Sequence, residues 1–254
     1  MPCCADAGAV AVAEFLDPKR PHALVINGKD VVVWNDGPTD DKGKKTMGAW
    51  RCFEDACPHR LVPLSEGRVE KSGELLCAYH AWRFDGSGAC TSIPQADEKK
   101  QEGFCKTRMA ACRAMPMEEI DGLLWVWPET GADAALESLA RRPRLIPELH
   151  AKDTKAKRLP WNMKDLPYGW DYFMENVLDP AHVPVSHHNI VGNRYTQAKP
   201  IALEPLGEVS TQEGFKFSVQ TALADKPGII EFQPPWGEKI SNKHFHWDFG
   251  GFLQ

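Results

Sequence analysis

Two short Cys/His pairs constrain this chain more than any other feature. The first reads Cys57-Pro58-His59-Arg60 and the second Cys77-Ala78-Tyr79-His80-Ala81-Trp82, with 17 residues between His59 and Cys77. Each pair places one thiolate and one imidazole in a tight loop, and two such loops can clamp a metal centre between them. A tetrahedral zinc site is the simple alternative, since two Cys and two His are one of its ligand sets. Zinc motifs, however, usually set like ligands side by side, as C-x2-C or H-x3-H. Mixed pairs suit a [2Fe–2S] cluster in which one iron takes both thiolates and the other both imidazoles.

The other cysteines do not extend the pattern. Eight cysteines in a small secreted chain would suggest a disulfide framework. A chain of 254 residues can bury a core without such staples, and residues 1–12 lack the basic n-region of a secretory signal. Cys52, Cys90, Cys105 and Cys112 are expected to be small, mostly buried apolar residues. Cys3-Cys4 is a weak lipidation signal. With 43% hydrophobic and 26% charged residues, the chain is globular, of one large or two small domains. The net charge of −5 speaks against a chain-wide nucleic-acid footprint. No run approaches the ~18 apolar residues of a membrane span.

Turn and strand signals divide the chain. Residues 1–14 read as a leader remnant or a disordered end. Ala23 to Trp34 holds two β-prone runs around Asn27-Gly28, a strong hairpin signal. A polar loop, Asp36 to Gly48, follows. Strand-like pieces then run Trp50 to Phe53, Leu75 to Cys77, Trp82 to Phe84 and Leu123 to Trp127, so residues 15–130 are expected to form a β-rich domain. A short helix is predicted from Ala132 to Arg142, stopped by Pro143, within a linker spanning 131–158. The second domain, 159–254, is expected to carry a helix over Gly169 to Val177. Its strands are expected at Phe215 to Val219, Ile229 to Phe232 and His244 to Phe249.

A second constellation lies in that domain: Glu175-Asn176-Val177-Leu178-Asp179-Pro180-Ala181-His182, then His187-His188. On a regular helix His182 and His187 lie about 140° apart and share no face. Pro180 and Pro184 interrupt the helix and let the two imidazoles converge. Two His and one carboxylate form the facial triad of non-haem Fe(II) oxygenases, which leaves iron positions open for O2.

Together, Cys57-Pro-His-Arg and Cys77-Ala-Tyr-His-Ala-Trp-Arg-Phe resemble the signature of the Rieske oxygenases. Leu61 stands where Rieske proteins of cytochrome bc complexes usually carry an extra Cys. Further stretches sharpen the likeness: Asp55 to Arg68, Cys90-Thr-Ser-Ile-Pro-Gln95, Gly122 to Glu129 and Tyr172 to His182. They resemble the pheophorbide a oxygenase-like chloroplast branch of that family, from about Phe15 to Leu203. The resemblance implies an α+β fold: a β-rich Rieske [2Fe–2S] domain, then a truncated α+β catalytic domain of the helix-grip, START-like kind. It assigns Cys57 and Cys77 to one iron and His59 and His80 to the other, with Arg60, Tyr79 and Trp82 around them. It also assigns His182 and His187 to a mononuclear Fe(II), with His188 as an out-of-register substitute. Asp179 would link that site to a Rieske histidine of a neighbouring subunit, and Asn176 would line it.

The resemblance sets the functional expectation too. Ferredoxin would donate electrons, and O2 with a chlorophyll-derived tetrapyrrole or other apolar small molecule would be the substrates. The protein would be a homotrimer of the chloroplast, and any envelope or thylakoid contact would come through segments outside this sequence. Trp161, Trp170, Tyr172, Phe173 and Trp236 are candidates for an apolar pocket, although most such aromatics serve as core. The family's third iron ligand is a carboxylate on a helix far downstream. Glu204, Glu208, Glu213, Asp225, Glu231, Glu238 and Asp248 remain after His187, none in a helical context, so the third ligand is expected to be absent. The alternative function is therefore an electron-transfer or redox-sensing Rieske protein without complete oxygenase activity.

Overall fold

The structure is a computed structural model in which residues 7–143, 150, 152, 160–164, 166–210, 214–223, 226–233, 237–241 and 246–250 are described. The chain divides into two compact units between residues 145 and 146.

The first unit is β-rich. Its strands are β1 (Gly8–Val12), β2 (His22–Ile26), β3 (Lys29–Asn35), β4 (Trp50–Glu54), β5 (Arg68–Val69), β6 (Leu75–Leu76), β7 (Arg83–Phe84), β8 (Cys90–Ser92), β9 (Ala114–Met115), β10 (Met117–Ile120) and β11 (Leu123–Val126). Two helices accompany them, α1 (Glu98–Cys105) and α2 (Ala132–Ala140). The strands form antiparallel sheets in the orders β1-β11-β10, β2-β3-β4-β9 and β5-β6-β7-β8.

The hairpin read at Asn27-Gly28 is present, with His22 opposite Val33 and Ile26 opposite Lys29. Both turn residues are left-handed, Asn27 at φ 49° and Gly28 at φ 73°. A type I′ turn needs that at both centres, and Asn and Gly adopt it at least cost. β3 is then buried along Val31 to Asn35. Strand alternation sends its side chains to two faces. Val32 and Trp34 join a cluster holding Cys57, Cys77 and Trp82, while Val31 and Val33 join one with Cys52, Leu124 and Val126. Asn35, fully buried, ties down the polar loop that follows. Its Oδ1 accepts from Gly37 N–H (3.1 Å) and Gly48 N–H (3.0 Å), and its Nδ2 donates to Gly48 O (3.1 Å).

One expectation is corrected. Residues 8–12, read as part of a leader or frayed end, form β1 and pair antiparallel with β11, Gly8 opposite Val126 and Val12 opposite Leu123. Ala7 and Val12 are buried, so apolar burial and a sheet ladder order this stretch; residues 1–6, including Cys3 and Cys4, lie outside the described ones. The expected linker opens with α2, and residues 144–149, 151 and 153–159 also lie outside the described ones.

The second unit contains α3 (Trp170–Leu178), a one-turn α4 (Val183–Ser186), and strands β12 (Ala202–Pro205), β13 (Phe215–Gln220), β14 (Gly228–Gln233), β15 (Gly237–Ser241) and β16 (His246–Gly250). The strands form an antiparallel meander in chain order. Phe215 and Phe232 are register partners across β13 and β14, and their rings stack at 5.2 Å. The fold is α+β, as expected.

Candidate metal centre

The two Cys/His loops are closed by the same pair of backbone hydrogen bonds. In the first, Cys57 N–H donates to Val62 O (2.9 Å) and Leu61 N–H to Cys57 O (2.8 Å). In the second, Cys77 N–H donates to Trp82 O (2.9 Å) and Ala81 N–H to Cys77 O (3.1 Å). Each return requires a left-handed residue, Leu61 at φ 57° and Ala81 at φ 55°. A side chain there costs about 1–2 kcal/mol relative to the right-handed region, so the rest of the unit imposes the shape.

That frame is visible. The first loop leaves β4, and Asp55 at its base accepts Ser65 N–H (2.8 Å) and Ser65 Oγ–H (2.5 Å). The second loop joins β6 to β7. Gly67 brings the two together: a Cβ there would lie 2.1 Å from Leu76 O, the residue before Cys77. Sequence reading did not single out Asp55 or Gly67, because their partners are distant in the chain.

Within this frame the donors separate by type. Cys57 and Cys77 are buried, each 2% exposed, and their side chains interact with each other. His59 is exposed and His80 half-buried, with ring centroids 4.7 Å apart. Trp82 stacks on His59 at 4.7 Å and 5°, and the Tyr79 ring lies 3.9 Å from His80. Burial, helped by the neighbouring Cys77, pushes the Cys57 thiol up to about 12. A thiolate pair in that position needs a cation to carry its charge. Desolvation, with His80 and Arg60 nearby, lowers His59 and so favours the neutral imidazole, the form that binds metals. Among the described residues no three or more His, Cys, Asp or Glu side chains gather as ligands of one ion. Cys57 and Cys77 form a thiol pair and His59 and His80 an imidazole pair, a division that would suit a two-iron cluster.

The other expected residues lie in the second unit. α3 ends at Leu178, and Asp179 follows as its cap in an extended conformation. His182 and His187 then bracket α4, with Pro184 inside it. This interruption brings their rings to 5.3 Å. His182 Nδ1 lies 2.5 Å from Asp179 O. A carbonyl only accepts, so Nδ1 is the donor in this contact and Nε2 points away from it. The Asp179 carboxylate lies 3.7 Å from the same nitrogen. Asp179, Asn176 and His187 are exposed. His188 is engaged elsewhere: Arg194 N–H donates to its Nδ1 (3.2 Å) and Tyr195 meets its ring edge-on at 5.4 Å. Glu231 pairs with Lys216 at 2.9 Å. Glu204 lies in β12 and Glu208 is exposed, whereas Glu213, Asp225 and Trp236 lie outside the described residues. Tyr172 is exposed, and Trp161 and Phe173 are half-buried.

Comparison with known proteins agrees with this geometry. Residues 7–112 match the Rieske [2Fe–2S] domain, a span that contains both Cys/His loops. The chain is 40% identical over 222 residues to chloroplastic pheophorbide a oxygenase of Arabidopsis thaliana, covering 87% of this chain and 38% of that protein. It is 38% identical over 176 residues to chloroplastic flavonoid 8-hydroxylase 2 of Ocimum basilicum, covering 69% and 32%. The chain thus spans about a third of the length of these curated relatives. The crystal structure of dicamba monooxygenase bound to dicamba superposes with a TM-score of 0.69, covering 96% of this chain and 70% of that one. At 19% identity this shows a shared fold. The domain match, the paired loops and the extended identity converge: residues 7–112 are a Rieske [2Fe–2S] domain, and the chain is similar to pheophorbide a oxygenase over most of its length.

Proposed function

We propose that the chain serves a Rieske-type monooxygenase of the chloroplast that acts on a chlorophyll-derived tetrapyrrole. The carrying observation is that one chain presents two buried thiols and two imidazoles in matched loops, and also a second imidazole pair at 5.3 Å. When bound, the [2Fe–2S] cluster supplies single electrons and a mononuclear Fe(II) supplies open positions for O2. Cys57, Cys77, His59 and His80 hold the first group. His182 and His187 hold the second, with a carboxylate that is not among the described residues.

The surrounding residues orient these donors. Asp179 fixes the His182 tautomer through its carbonyl, and its carboxylate couples the site to a Rieske histidine of a neighbouring subunit in a trimer. Asn176 lines the same site. Ferredoxin is the fitting donor, since plant-type ferredoxins at about −400 mV lie below Rieske centres at about −150 mV and above. The named activity of the Arabidopsis relative directs the substrate to pheophorbide, and the basil relative makes a flavonoid the second substrate to test. A reading as an electron carrier or redox sensor draws on the absence, among the described residues, of a third donor grouped with the imidazole pair.

Iron counting and ligand binding test the proposal. Reconstituted protein should bind three irons per chain, lose one in His187→Ala, and shift the absorbance of added pheophorbide. Two irons per chain and an unchanged pigment spectrum would leave the electron carrier.

A further inference from the structure

Two cysteines outside the ligand set face each other. Cys90 begins β8 and Cys105 ends α1, and their sulfur atoms are 3.1 Å apart. We propose that Cys90 and Cys105 form a reversible dithiol–disulfide pair, a modification site that fastens α1 to β8 beside the iron–sulfur loops. A disulfide needs a sulfur separation of about 2.05 Å, so closure asks for a shift of roughly 1 Å. The two elements are already pinned nearby, because Ile93 N–H donates to the Gln101 side chain at 2.8 Å.

Access sets the order of events. Cys105 is half-buried and Cys90 buried, and both line an open groove with Glu102 and Arg108. A low-molecular-weight disulfide is the oxidant. Cys105 gives its proton to solvent, and its thiolate attacks one sulfur of that disulfide, whose S–S bond breaks and releases one thiol. Cys90 then loses its proton and attacks Cys105 Sγ, which breaks the mixed disulfide and releases the second thiol. The two protein thiols lose two electrons, and the oxidant gains them with two protons. Cys90, the more buried of the two, meets the oxidant only through Cys105 and is therefore the resolving partner; burial, together with Cys105 itself, also raises its thiol.

The position gives the pair a route to the cluster loops. Phe104, next to Cys105, meets Trp82 edge-on at 5.8 Å, and Trp82 stacks on His59. The pair stands apart from the proposed oxygenase function, because its test reads covalent mass and not turnover.

The test treats cluster-loaded protein with graded oxidised glutathione, quenches in acid, alkylates with N-ethylmaleimide and maps peptides by mass spectrometry. The expected product is a peptide pair joined through Cys90 and Cys105, lighter by two hydrogens and restored by dithiothreitol. Cys105→Ser should abolish it and Cys112→Ser should leave it intact. Hydrogen exchange of the α1 amides should slow in the oxidised protein. A stable glutathione adduct at Cys105 alone, a link to any other cysteine, or two freely alkylated thiols at every ratio would overturn the proposal.

Discussion

The two candidate sites are built on opposite terms. In the first unit the donors emerge from loops already closed by backbone hydrogen bonds, with the thiols sunk among Trp34, Phe53, Leu75 and Phe84. In the second unit the imidazoles flank a one-turn helix, and His187, Asp179 and Asn176 face solvent. Among the described residues the buried apolar side chains lie overwhelmingly in the first unit, with Val219 and Ile230 as those of the meander. A preformed buried frame can bind a cluster with little rearrangement. A half-buried and an exposed imidazole on a proline-broken turn depend on the metal and further ligands to define their geometry.

The contrast can be broken first at the thiols. Cys57→Ser should abolish the visible absorption of the cluster and its low-temperature resonance, because it removes one of the two buried thiols of the matched loops. If the cluster survives unchanged, Cys57 is not a ligand. His187→Ala should remove the second-unit iron and all oxygenase turnover while the cluster spectrum stays intact. Loss of both centres together would show that the sites are not separable as described.

Smaller effects sharpen the comparison. Asp179→Asn keeps the main-chain carbonyl contact to His182 but removes the carboxylate charge 3.7 Å from its Nδ1, so both metals should stay in place while turnover falls by roughly 10- to 100-fold. Single-turnover kinetics with stoichiometric iron would check it. Gly67→Ala should destabilise the first unit by about 1–3 kcal/mol, the range for overpacking, because the new Cβ meets Leu76 O at 2.1 Å. Denaturant unfolding reads that change, and an unaltered midpoint would remove Gly67 from the frame.

The last effect is confined to alkaline pH. Burial raises Cys52 from 9.0 to about 12. An unfolded thiol ionises near 9 while the folded one stays protonated, so its stabilisation is complete below pH 9 and falls as pH rises toward 12. The slope is about 1.4 kcal/mol per pH unit for one thiol. Cys52→Ala should flatten this loss, and an identical alkaline slope would contradict it.

How far the sequence carries follows the same division. The hairpin was legible because Asn27-Gly28 demands one turn type, and β13 and β14 were legible from local alternation. The two Cys/His loops were legible because each motif lies within four consecutive residues. β1 was misread because its partner β11 lies more than a hundred residues on, and a short Ala/Val run carries no signal until it is paired. α1 escaped because Glu98 to Cys105 has little apolar periodicity. Gly67 and Asp55 act through contacts that only the fold creates. The convergence of His182 and His187 could be inferred from Pro180 and Pro184, whereas the Cys90 and Cys105 contact could not.

The central claim is that one iron–sulfur centre is held by unlike ligands, two thiolates from Cys57 and Cys77 and two imidazoles from His59 and His80. Pulsed electron paramagnetic resonance of the dithionite-reduced protein tests it directly. Two strongly coupled imidazole nitrogens, one of them lost in His80→Cys, are the predicted result. A reduced centre without nitrogen coupling, or a protein that takes up only zinc, would contradict the account.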